Sequence, residues 1–140
     1  MVHVVPERYA VIALIKHAMR AMMPRTAALP GIVDTDLDGF LRRMRAEADA
    51  LYWLGLVAGA WVFALSPLLT IRVPLPSFLL SAKPLDRHAN AIQNHPLYML
   101  RMSATLVRLS AGMCWGSDRH VRARFALAPS PADPGTFRSS

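Results

Sequence analysis

The chain has 140 residues, 54% of them hydrophobic and 18% charged, with a formal net charge of +7. This length allows one domain with a modest core, and the apolar excess requires a membrane, a large partner or an unusually apolar core to cover it. The single cysteine, Cys114, excludes an internal disulfide and is expected to be a small buried residue near a helix end. The cations are spread along the chain, which argues against nucleic acid as a partner.

The first predicted helix runs from Glu7 to Met23 and is ended by Pro24. Its apolar residues form one broad face, while Lys16 and Arg20 lie one turn apart on the other. This pattern favours a helix that packs on the core, and a basic helix lying on a membrane surface is the alternative. Because charged residues interrupt the apolar run, no signal peptide is predicted, and the location is left open between cytoplasmic and membrane-associated.

Three aspartates between positions 34 and 38 predict the start of the next helix, with Asp34 or Thr35 as its cap. This helix is predicted from Asp36 to Ser66. Its first half is amphipathic, but the polar face disappears after Ala50.

The stretch from Ala50 to Ile71 contains no charged residue and allows two interpretations. It is long enough to span a bilayer, and it also suits the central buried helix of a small helical protein. Gly55 and Gly59 form a GxxxG motif, which lets two helices approach closely. Trp61 would lie in the middle of a span, and this position favours a packed core. The pattern leaves both interpretations open.

Prolines make the segment 72–84 irregular, and its apolar residues Phe78, Leu79 and Leu80 are expected to pack down as an anchored loop. A short helix is predicted at 84–93, followed by a long helix from Leu97 to Trp115. The long helix has one narrow polar stripe, so it should pack beside the apolar stretch.

These elements predict an all-α fold, a small helical bundle of three longer helices plus one or two short ones, with an irregular Pro-rich connection. Residues 1–128 are expected to form a single helical domain, which ends in a short basic turn at 119–124. Residues 129–140 are expected to form an extended Pro-rich tail.

The chain contains no Gly-rich phosphate loop, no GxGxxG motif and no CxxCH motif. Its five histidines are scattered, and none has a second ligand at the spacing of a metal site. We therefore predict no catalytic, cofactor-binding or metal-binding residue, and we do not expect the chain to be an enzyme by itself.

Two stretches carry a family resemblance. The first is LPGIVDTDLDGFL at 29–41, and the second begins with PLYMLR at 96–101, continues through DRHVRAR at 118–124 and ends with DPGTFR at 133–138. Together they resemble the small helical proteins and N-terminal segments that accompany bacterial FAD-dependent alcohol dehydrogenases of the glucose–methanol–choline (GMC) class.

This resemblance implies a non-catalytic accessory subunit of an oxidoreductase complex. FAD, the catalytic base and the substrate pocket would belong to a larger flavoprotein subunit, and this chain would cover apolar surface on it or dock it. The alternative is a small basic membrane protein that serves as an anchor or assembly factor, with its arginines at the lipid headgroups.

Overall fold

A computed structural model describes residues 5–132, which fold into helices without a β-strand. The α-helices are α1 (Val5–Met22), α2 (Leu37–Glu47), α3 (Ala50–Leu65), α4 (Pro67–Thr70), α5 (Ala82–Gln93), α6 (Tyr98–Ser117) and α7 (Arg119–Arg124). Single 3-10 turns lie at Ile32–Asp34 and Ser77–Leu79. The predicted all-α bundle is confirmed. The DPGTFR part of the resemblance lies outside the described residues, and the division near residue 128 stays a prediction.

The predicted helix from Asp36 to Ser66 is two helices, because the chain breaks between α2 and α3. Ala48 has extended backbone angles of φ −74° and ψ 153°. The Asp49 carboxylate accepts a hydrogen bond of 3.0 Å from the backbone N–H of Leu51 and so caps α3. Aspartate is a poor residue inside a helix but a strong N-cap, which explains why the chain breaks here.

The start of α2 also differs from the prediction, because Asp36 is its cap rather than Asp34 or Thr35. The Asp36 carboxylate accepts a hydrogen bond of 3.0 Å from the N–H of Gly39. Asp34 instead accepts hydrogen bonds from the Arg25 guanidinium and from the backbone N–H of Gly31. The hydrogen bond from Arg25 contributes most to holding the pKa of Asp34 below its usual value.

The antiparallel pair of α3 and α6 forms the centre of the bundle, and α1 and α5 pack against it. The Tyr52 hydroxyl lies 2.6 Å from the Ser110 hydroxyl near one end of the contact. Further along α3, a Cβ built on Gly59 would lie 3.0 Å from Val107 Cγ2 and 3.1 Å from the Ser103 carbonyl oxygen. The GxxxG motif is therefore a site of close helix approach, as predicted.

Segment 72–84 is anchored differently from the prediction. Ser77 is fully buried, and its hydroxyl lies 2.9 Å from His17 Nε2. Phe78 and Leu79, which were expected to pack down, are more than half exposed. A 3-10 turn has three residues per turn, so a turn that points Ser77 inward points the next two side chains outward.

The C-terminal end of α6 holds the loop that precedes α2. Trp115 donates its indole N–H to the carbonyl oxygen of Pro30 at 2.9 Å. Asp118 caps α7, and its other carboxylate oxygen accepts the N–H of Asp36 at 3.1 Å. Helix α6 ends at Ser117, two residues beyond the predicted end.

Candidate interaction surface

Helices α3 and α6 each carry a stripe of apolar side chains that point away from the core. On both helices these residues recur at alternating spacings of three and four, so each stripe runs straight along its helix. We name the two stripes together the apolar face, which consists of Leu51, Leu54, Ala58, Trp61, Leu65, Met99, Met102, Leu106, Leu109 and Met113.

Both stripes lie on the same side of the helix pair. Tyr52, Gly55 and Gly59 mark the line where α3 meets α6. On each helix the stripe lies roughly 90° from this contact line and in the same rotational sense, at about 100° per residue. A two-fold rotation that exchanges two antiparallel helices leaves this rotational sense unchanged. The two stripes therefore lie on the same side of the helix pair. The Leu106 side chain lies against Gly55 and fills the seam between them.

The apolar face is large and carries no charged residue. Its eight large, exposed side chains, excluding Ala58 and the half-buried Leu106, have exposed fractions between 41% and 77%. An aromatic side chain such as Trp61 offers on the order of 200 Å², and a leucine or methionine somewhat less. With about half of each exposed, the face presents at most on the order of 1,000 Å². The largest apolar patch of an ordinary monomer is about 300–600 Å², and larger patches mark interaction sites.

A groove of about 580 Å³ runs along one edge of this face. Met23, Leu109, Gly112 and Met113 form its apolar wall. At its polar wall, Arg108 donates a hydrogen bond of 2.6 Å to the side-chain oxygen of Gln93. The groove therefore has apolar residues of the face on one side and the hydrogen-bonded Arg108 on the other.

The apolar face corrects one expectation about the 50–71 stretch. Trp61, which was expected in a packed core, is 47% exposed, whereas Trp53, about 80° around α3 and closer to the core, is buried. The cause is that α1 and α6 cover only part of this helix. Among residues 5–132, no helix has both the length and the apolar character needed to cross a membrane.

A second feature of the structure is a cluster of buried polar side chains that contacts α3. His88 is fully buried, with its Nε2 atom 2.8 Å from the Phe63 carbonyl oxygen and its Nδ1 atom 2.5 Å from the Thr70 hydroxyl. Burial lowers the pKa of His88. The pKa of His17 is lowered mainly by burial and to a smaller extent by the charge of Arg20.

The contact between His17 and Ser77 brings together two residue types found in hydrolases. Ser77 is fully buried, however, so a substrate cannot reach its hydroxyl. The hydrogen bonds of this cluster satisfy buried polar groups and fix the segment 66–77 on the bundle. Its role in this structure is to hold the fold together.

Within residues 5–132, no group of three or more His, Cys, Asp or Glu side chains is arranged to hold a metal ion. The apolar face is the feature that calls for a functional explanation, because water is a poor environment for it. Sequence reasoning did not identify it, although the three–four spacing of the large apolar residues is visible in both helices. No protein-family model, curated protein or solved structure matches this chain.

Proposed function

We propose that this chain is a non-catalytic accessory subunit that docks on a larger catalytic subunit through the apolar face. The observation that carries the proposal is the size of this uncharged surface, on the order of 1,000 Å² against roughly 800 Å² per partner in a standard protein–protein interface. Trp61 and three methionines on the face are residue types enriched in such interfaces.

The resemblance to accessory proteins of the GMC class supplies the identity of the larger subunit. The partner would be an FAD-dependent alcohol dehydrogenase subunit that holds the flavin and carries out the reaction. This chain would cover an apolar surface of that subunit. The net charge of +7 favours a partner that is acidic around its docking surface.

The test is a native pull-down of the tagged chain from a detergent-free lysate, with an absorbance spectrum of the captured material. We expect a flavin spectrum and a protein larger than the bait. Leu109→Glu, which places a charge on the face, should abolish capture. Leu127→Glu is the matched control, since Leu127 is similarly exposed and lies outside the face. A flavoprotein that both variants capture equally well would contradict docking through the face.

A second candidate, a membrane-surface anchor or assembly factor, is favoured by leucines at one end of the bundle. Leu68, Leu69 and Leu97 are each more than half exposed, and the cation Arg72 directly follows this part of the chain. Exposed leucines beside cations suit the headgroup region of an anionic bilayer. A chain found entirely in the salt-washed membrane pellet, with no flavoprotein attached, would favour this candidate over the first.

A further inference from the structure

We infer that, in the absence of a larger subunit, two copies of this chain pair through their apolar faces and form a four-helix interface. The inference rests on the proposed function only in treating the face as a docking surface. It adds that a second copy is the occupant when no other partner is bound, so self-association competes with docking.

The spacing of the face suits a four-helix arrangement. Each stripe repeats every seven residues, as in Leu51, Ala58 and Leu65 on α3 and Met99, Leu106 and Met113 on α6. A repeat of this kind keeps apolar side chains along one seam and allows knobs-into-holes packing between helices. The pair α3–α6 therefore presents half of an antiparallel four-helix bundle, and a second pair would complete it.

The face is also compatible with two-fold symmetry. The two helices run antiparallel and carry stripes of equal length and spacing, so a rotation about an axis normal to the face exchanges them. A two-fold axis that lies in the plane of the face would then bring the same two stripes of each copy together, as a symmetric dimer requires. If the two-fold axis of the dimer runs parallel to the helices, the Leu106 side chains of both copies would lie near the centre of the contact.

The area of the apolar face and its lack of charge both permit a contact between two copies. The face offers on the order of 1,000 Å² per copy, which is comparable with the roughly 800 Å² per partner of a standard interface. The arginines of α6, Arg101 and Arg108, lie outside the stripe, and Arg108 stands at the polar wall of the groove beside the face. Neither stripe contains a charged residue, so the contact itself buries no charge, and salt screens the repulsion between two copies of net charge +7.

Analytical ultracentrifugation of the purified chain tests the inference without any flavoprotein. From low micromolar to near-millimolar concentration, we expect a reversible change from monomer to dimer that is stronger at high salt. Leu54→Glu, which introduces a buried carboxylate twice in each dimer, should weaken dimerisation by about 100-fold or more. Leu127→Glu makes the same charge change outside the face and should leave it unchanged.

Quenching by acrylamide gives a second measurement, because dimerisation should cover Trp61, which is 47% exposed. A chain that stays monomeric throughout, or one in which both variants dimerise equally, would overturn the inference. Binding of a monomer to phosphatidylglycerol vesicles would also overturn it and assign the face to lipid. A chain that dimerises yet never captures a flavoprotein would refute the proposed function alone, and a monomer that captures one would refute the dimer alone.

Discussion

The Nε2–H of His88 donates a hydrogen bond of 2.8 Å to the backbone carbonyl oxygen of Phe63, whose ring lies 4.5 Å from the imidazole, centroid to centroid. A carbonyl oxygen only accepts, so this bond fixes the proton on Nε2. Nδ1 then accepts from the Thr70 hydroxyl, and the imidazole is neutral. One histidine thus connects the end of α3 to α4 and α5.

This neutral, buried histidine makes stability depend on pH. Burial holds the pKa of His88 below its ordinary value of 6.5. As the pH falls through that value, the unfolded chain gains a proton that the native chain does not accept. The contribution of His88 to the free energy of unfolding should therefore be constant well above pH 6.5 and decrease below it, by at most about 1.4 kcal/mol per pH unit.

Urea unfolding followed by circular dichroism, at a series of pH values, measures this dependence. His88→Gln retains a side-chain N–H for the Phe63 carbonyl, so it should give a less stable protein with a flatter pH profile. His120→Asn is the control, since His120 is exposed. An unchanged slope in His88→Gln would show that other groups cause the acid sensitivity.

Two glycines in the central helix pair should respond oppositely to alanine. At Gly59 the new methyl group would lie 3.0 Å from Val107 and 3.1 Å from the backbone of Ser103, so Gly59→Ala should destabilise the fold by about 1–3 kcal/mol. At Gly112 an added Cβ has nothing within 4 Å. Gly112→Ala should therefore stabilise α6 by about 0.5–1 kcal/mol.

Thermal or urea unfolding of both variants checks this pair of predictions against the same wild-type chain. A stable Gly59→Ala protein would mean that α3 and α6 can separate slightly at no cost. That result would contradict the close approach described for the GxxxG motif.

Asp118 caps α7 and also binds the loop before α2. Its carboxylate accepts N–H groups from His120, Val121 and Asp36. Asp118→Ala should cost about 1–2 kcal/mol, because a helix cap and a loop contact are lost together. Asp118→Asn keeps one oxygen acceptor for the helix cap but loses the one that binds the N–H of Asp36, so it should lose less stability than the alanine variant.

Hydrogen exchange separates the two effects of the Asp118 substitution. Faster exchange is expected at the amides of residues 120 and 121 and, far away in sequence, at residue 36. If exchange increased only in α7, the contact with the α2 loop would be shown to contribute nothing.

Cys114 should be unreactive in the native chain. The thiol is almost fully buried, and burial is the main reason that its pKa is raised, whereas the nucleophile is the thiolate. A chromogenic disulfide reagent should label it slowly in buffer and quickly in denaturant. Ser117→Cys in a Cys114→Ser background places an exposed thiol one turn away and should react at once. Equal rates for the two thiols would contradict the buried position.

The fold class and the packing of α3 against α6 could be predicted from the sequence, because small residues mark the contact and a narrow polar stripe marks the side of α6 that faces away from it. The break at Ala48 and Asp49 could not, since the apolar spacing continues through it. Only the capping preference of Asp49 indicated a new helix start.

The interaction surface was harder to predict for a physical reason. Helix α3 is apolar all round, so no polar side identifies the direction that faces outward. The exposed side is decided by where α1 and α6 dock, which depends on contacts between distant parts of the chain. For that reason Trp61 is exposed and Trp53 is buried, although both are tryptophans on the same helix.

The hydrogen bond from Trp115 to Pro30 joins residues 85 positions apart, and that from Asp36 to Asp118 joins residues 82 apart. Contacts of such long sequence separation form late, because a large loop must close first. During synthesis, the loop before α2 must therefore wait for the end of α6 to leave the ribosome. Until then α3 lacks α6, the helix it contacts most, and its apolar surface on that side is accessible to a chaperone.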